Sequence, residues 1–150
     1  MAFLNNSAAL TITANLVIQI VVLFLLALGY LLKRKLQFRH HGFIMSTALI
    51  LHLIMAIYVM IPSFVLAIIS EYIIPNPLSE VSVIGLIHAV LGSVALSFGL
   101  WIVISWRFKV SIQSCIARKK YMKKTLAVWV ASLIFGIILY SILIGLLLQG

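Results

Sequence analysis

The sequence predicts an all-α integral membrane protein, a four-helix bundle folded as one domain over residues 1–150. Three observations carry this. Of the 150 residues, 65% are hydrophobic and only 9% charged, where soluble domains hold about 45–50% and about 25%. Four apolar runs each reach the roughly 20 residues that a bilayer crossing takes. All eleven Lys and Arg fall in two short segments between those runs. A water-soluble fold would have no surface to show, and the length suits one bundle.

The runs occupy residues 9–32, 42–70, 81–106 and 125–148. Backbone groups in lipid need internal partners, and no period-2 barrel alternation is present, so each run is read as a helix. The first carries Asn15 and Gln19 on one face near its outer end. Two amides so placed point to interhelical hydrogen bonds ahead of a binding site. The second is overlong and must tilt, or extend past the membrane at its His40–His41 end. Pro62 removes one of its hydrogen bonds and predicts a kink in the outer half.

The third run sets Gly85, Gly92, Gly99 and Trp106 at steps of seven, with Ala89, Ser93 and Ser97 on a neighbouring stripe. Small residues at such spacing let helices approach closely, which is preferred here over backbone approach to a flat cofactor. The fourth repeats the device with Ser132 and Gly136, then Ser141 and Gly145. Tyr72, Trp106 and Tyr121 sit where aromatic belts are expected.

Charge gives orientation. Segment 33–41 holds Lys33, Arg34, Lys35 and Arg39, and segment 107–124 holds the other seven basic residues. Both acids, Glu71 and Glu80, lie in the remaining loop, where Pro75-Asn76-Pro77 makes the turn. The positive-inside rule places the two basic loops in the cytoplasm, and both termini and the 71–80 loop outside. The net charge of +9 does not indicate nucleic acid, because the basic residues sit between spans. Segment 107–124 reads as an anchor on anionic lipid, with an acidic partner subunit as the alternative. The single cysteine, Cys115, excludes an internal disulfide and a CxxC motif. The N-terminus lacks a basic n-region and does not read as a cleaved signal peptide.

Candidate chemistry rests on histidine and methionine. At 100° per residue His41, Met45, Ala48, His52 and Met55 share one face of the second helix. His41 with Met45, and His52 with Met55, form imidazole–thioether pairs of the soft kind that suits Cu(I). The plainer alternative is core methionine, with His40 and His41 meeting phosphate headgroups beside Arg39. His52 and His88 as axial ligands of one haem would need equal depth. If the second and third helices share an outer boundary, their depths are about 28 Å and about 12 Å, a mismatch of roughly 15 Å. His88 is read first as a buried imidazole bonded to Asn15, Gln19 or a serine, and otherwise as a haem or copper ligand or a proton-handling group. No acidic residue lies within a span, and there is no Gly-rich phosphate loop, His-Glu zinc motif or transporter-type repeat.

Three segments together resemble a known family. They are His40/His41 through Met45, the stretch Ile87-His88-Ala89 through Leu91-Gly92, and Lys120-Tyr121-Met122-Lys123-Lys124-Thr125 onward through Trp129, Ser132, Gly136 and Tyr140. The pattern is similar to the small four-helix membrane proteins of the domain of unknown function 420 family, from Leu28 to the C-terminus. The resemblance implies a bacterial or archaeal membrane protein linked to biogenesis of haem–copper terminal oxidases. It carries over His41 (or His40), His88 and Trp129, and leaves His52 without a family counterpart.

The expected function is therefore an accessory or assembly subunit of a haem- or copper-using oxidase-type complex in the cell membrane, without catalysis of its own. Its expected partners are lipid and other membrane subunits. The alternatives are a small b-type cytochrome with His41 or His52 and His88 on haem b, or a copper-handling protein using His41, Met45, His52 and Met55.

Overall fold

The computed structural model describes residues 2–106 and 119–149. Four helices result: α1 (Ala2–Arg34), α2 (Phe38–Ile73), α3 (Glu80–Trp106) and α4 (Lys119–Gln149). Each contains a stretch long and apolar enough to cross a membrane. Large apolar side chains such as Phe24, Phe43, Leu66 and Ile104 stand exposed on the outside, as lipid-facing surfaces require. The helices outrun the apolar segments that predict them, so the expected basic loop 33–41 shrinks to a three-residue turn and His40 and His41 lie inside α2. Cys115 and most of the second basic loop lie outside the described residues.

The α1–α2 turn is closed by main-chain bonds. The Gln37 N–H donates to Leu32 O at 3.0 Å and the Leu36 N–H to Lys33 O at 3.1 Å, with Leu36 at φ 60°. This is a Schellman ending in which leucine holds the left-handed position that usually takes glycine. At the opposite end Ser79 caps α3, its hydroxyl accepting from the Ser82 N–H at 3.2 Å, while Ser82 Oγ donates to Asn76 O at 2.8 Å. Glu80 then sits in the first turn, where negative charge is favoured.

α2 departs from a regular helix in its second half. Phe38–Met55 is α-helical, but Ala56–Met60 and Phe64–Ile73 are π-helical around a short α turn, Ile61–Ser63. Ile61 N–H donates to Ala56 O, five residues back, and Ile74 N–H to Ile69 O at 3.0 Å. Pro62 lies between the wide turns. It has no N–H to give and crowds the preceding turn, and the chain answers with wide i→i+5 turns on both sides of the expected kink site.

α1 packs chiefly on α2, α3 chiefly on α4, and α1 also meets α4. The core draws on all four helices: Val22 and Leu26, Ala48 and Leu49, Ala95, then Trp129 and Leu133. The glycine stripe of α3 serves this packing. A methyl on Gly85 would lie 3.1 Å from Ile68 Cγ2, one on Gly92 3.2 Å from Ser132 Oγ, and one on Gly99 2.8 Å from Leu49 Cδ1. The stripe is thus consumed inside the bundle, where it lets helices close on one another.

Candidate functional site

The α2 stripe faces inward as its spacing predicts: His41, Ala48, His52 and Met55 are buried and Met45 half-buried, while His40 is exposed. The stripe does not converge on one point. Residues 41 and 52 are separated by about 16 Å of helix rise, and each histidine meets a different neighbour.

His41 Nδ1 donates to Gly29 O of α1 at 2.7 Å. Only a ring carrying its proton on Nδ1 can make that bond, so Nε2 is left as the lone-pair nitrogen. Gly29 is what allows the approach, because a methyl there would come 2.6 Å from Met45 Sδ. His41 and Met45 are therefore fitted together against the α1 backbone.

His52, 3% exposed, packs its ring edge-to-face on Trp129, with centroids 5.1 Å apart and planes at 64°. Among the described residues, neither its Nδ1 nor the Trp129 indole N–H has a hydrogen-bond partner.

His88 is clasped by α4. Nδ1 donates to Ser132 O at 2.8 Å, and Ser132 Oγ donates back to His88 O at 3.3 Å. A methyl at Gly136 would stand 2.8 Å from His88 Cε1. Of the expected partners, Asn15, Gln19 or a serine, the structure supplies a serine, chiefly through its main-chain carbonyl.

The amides take no such role. Asn15 Oδ1 and both polar atoms of Gln19 lack hydrogen-bond partners, as does Ser46 Oγ. Gln19 is only 8% exposed. An unpaired buried polar group costs about 1–3 kcal/mol, and an apolar replacement of the same shape recovers it. Gln19→Leu is accordingly expected to stabilise the bundle by about that amount, read as a raised melting temperature in detergent. A lowered melting temperature would mean that the amide does hold a partner.

The expected depth mismatch of roughly 15 Å between His52 and His88 narrows. Their contacts on α4, Trp129 for one and Ser132 and Gly136 for the other, differ by three to seven residues, about 5–10 Å of rise. The wide turns of α2 contribute to this. From Leu49 to Ile68 α2 takes 19 steps, while the matching α3 contacts, Gly99 to Gly85, are 14 steps apart. The pair still does not offer facing axial ligands. The His88 ring lies on the α4 backbone, the His52 ring lies against Trp129, and a porphyrin would have to displace both contacts.

At the basic end a cavity of about 80 Å³ opens among the four helices. Leu26, Leu49, Ile102, Val103 and Leu126 wall it, and His41, Met45, Met122 and Trp129 also line it. Lys33, Tyr30 and Lys123 line it as well. The sequence marks Lys123 only as part of a basic anchor on lipid; that it, Lys33 and Met122 line one cavity with His41 is supplied by the fold. Among the described residues, no group of three His, Cys, Asp or Glu side chains is placed to hold a metal ion. No family model, curated protein or solved structure matches this chain.

Proposed function

We propose that the chain is an accessory membrane protein, acting in assembly or as a small structural subunit of a haem- or copper-using oxidase-type complex. In this reading it lies in the cytoplasmic membrane with its basic end inside and both termini outside. The observation that supports it best is the way the imidazoles are held. His41 and His88 each give Nδ1–H to a single backbone carbonyl, at 2.7 and 2.8 Å. That arrangement fixes the tautomer and leaves Nε2 as the nitrogen to present, as the outer shell of a ligand does. The two are at different levels, and among the described residues neither belongs to a group of three His, Cys, Asp or Glu side chains that could hold a metal ion. A resident cofactor is held by a complete ligand set; single oriented ligands suit groups that pass through or sites that a partner subunit completes. The resemblance to oxidase-biogenesis proteins supports the same reading.

The test compares oxidase from cells with and without this chain, measured as haem and copper per complex. Loss of either group without the chain, and its restoration by the unsubstituted chain but not by His88→Ala, is the expected result. The purified protein should also give a flat reduced-minus-oxidised spectrum after expression with haem available. A sharp b-type band at stoichiometric amplitude would replace this reading with the cytochrome. Copper handling is the second reading, favoured by Met122 joining His41 and Met45 around one cavity; it requires copper to fall on losing Met45.

A further inference from the structure

We propose that the cavity at the basic end is a binding site for one chain of an anionic membrane lipid, headgroup at the lysines and chain end toward Trp129. His41 also lines this cavity, but the proposal rests on the lysines and the apolar throat, and its test reads lipid binding apart from any partner complex.

Shape is the first argument. Along α4 the lining runs from Met122 and Lys123 at one end to Trp129 at the other, seven residues or about 10 Å of rise. The site is therefore deep and narrow, parallel to the helices. At about 80 Å³, about half of a dry cavity that holds a benzene ring, this one has room for the end of a single chain and not for a second one. Its middle is walled by Leu26, Leu49, Ile102, Val103 and Leu126, a surface with nothing to offer a polar body.

Charge decides the occupant. Lys33 and Lys123 line the cavity, and no acidic residue does. Both acids of the chain lie at the far end of the bundle, Glu71 in the last turn of α2 and Glu80 in the first turn of α3. Two lysines with no acid beside them attract an anionic headgroup. Tyr30 and Lys123 are also exposed on the outside of the bundle, so the cavity meets the surface at headgroup level. A chain bound there would be anchored by charge and guided by an apolar throat, the combination that selects an amphiphile over either a free anion or an oil.

The position of Trp129 supplies the test. At 2% exposure it is shielded from bulk lipid and can be reached only by a chain inside the bundle. The chain has three tryptophans, and Trp101→Phe with Trp106→Phe leaves Trp129 as the single indole. This protein, placed in vesicles of phosphatidylcholine, is titrated with phosphatidylglycerol or with more phosphatidylcholine, the added lipid brominated on its chain. Saturable quenching of Trp129 is expected, with about tenfold lower half-saturation for the anionic lipid. Lys33→Gln with Lys123→Gln should abolish that preference while the protein keeps its elution volume and helical circular dichroism. Val103→Phe, which fills the throat, should reduce quenching by both lipids. Absence of quenching, equal quenching of the lysine-bearing protein by both lipids, or a preference that outlives the lysines would each overturn the site. The lipid comparison on the lysine-bearing protein decides the matter even if a substituted chain fails to fold.

Discussion

Gly136→Val is expected to destabilise the bundle by about 2–4 kcal/mol, from about 1–3 kcal/mol of overpacking and about 1 kcal/mol for a lost hydrogen bond. The Cβ would stand 2.8 Å from His88 Cε1 and 3.1 Å from its Nδ1. A ring cannot fold away as a flexible chain end can, and this ring is tied to Ser132 O at 2.8 Å. Either His88 swings out and drops that bond, or α3 and α4 move apart along the seam where they pack most. Gly29 and Gly99 differ at equally short range, because what faces them is the end of a flexible side chain, Met45 Sδ and Leu49 Cδ1. Gly145→Val is the control on the same helix, since nothing lies within 4 Å of its Cβ. Thermal unfolding in one detergent compares the three proteins. The double substitution His88→Ala with Gly136→Val should recover part of the loss, because the ring that clashes is gone. If Gly136→Val melts with Gly145→Val, the clasp is not holding α3 to α4.

Much of this bundle is legible in the sequence, and the reason is the solvent. A chain that must satisfy every backbone group in lipid has helices as its main recourse, so four apolar runs fix four helices. The inward stripe of α2 follows from period alone, and so does the close packing at Gly85, Gly92 and Gly99. What the residues hide is which acceptor a side chain will choose. His88 and His41 both bond to main-chain carbonyls, of Ser132 and Gly29, and every residue has such a carbonyl. Asn15 and Gln19 look like the natural partners by chemistry, yet among the described residues Asn15 Oδ1 and both polar atoms of Gln19 stay unpaired. Depth was misjudged for a related reason. A rise of about 1.5 Å per residue assumes α-helix throughout, and the π-helical turns flanking Pro62 break that assumption without any pattern that periodicity would reveal. The cavity, too, is a property of packing: its lysines and Met122 enter from helix ends whose relative positions only the fold supplies.

The second large effect belongs to Trp129, where two substitutions should part company. Trp129→Ala is expected to cost about 3–5 kcal/mol, in the range for deleting a large aromatic side chain from a core. The indole touches a core built from all four helices, and at 2% exposure the space it leaves is not filled by lipid. Trp129→Phe should cost less than about 1.5 kcal/mol. A phenyl ring keeps an edge-to-face contact with His52, and the N–H that it lacks has no partner to lose. Thermal melts of the two proteins measure the gap, and indole added to Trp129→Ala should raise its melting temperature by refilling the hole. Equal losses for Phe and Ala would point the other way, to an indole N–H engaged in a polar contact at the inner end of the cavity. The same comparison bears on the lipid site. Phenylalanine leaves its end wall in place, whereas alanine removes the wall and joins the cavity to His52, so only the alanine protein should admit a longer chain.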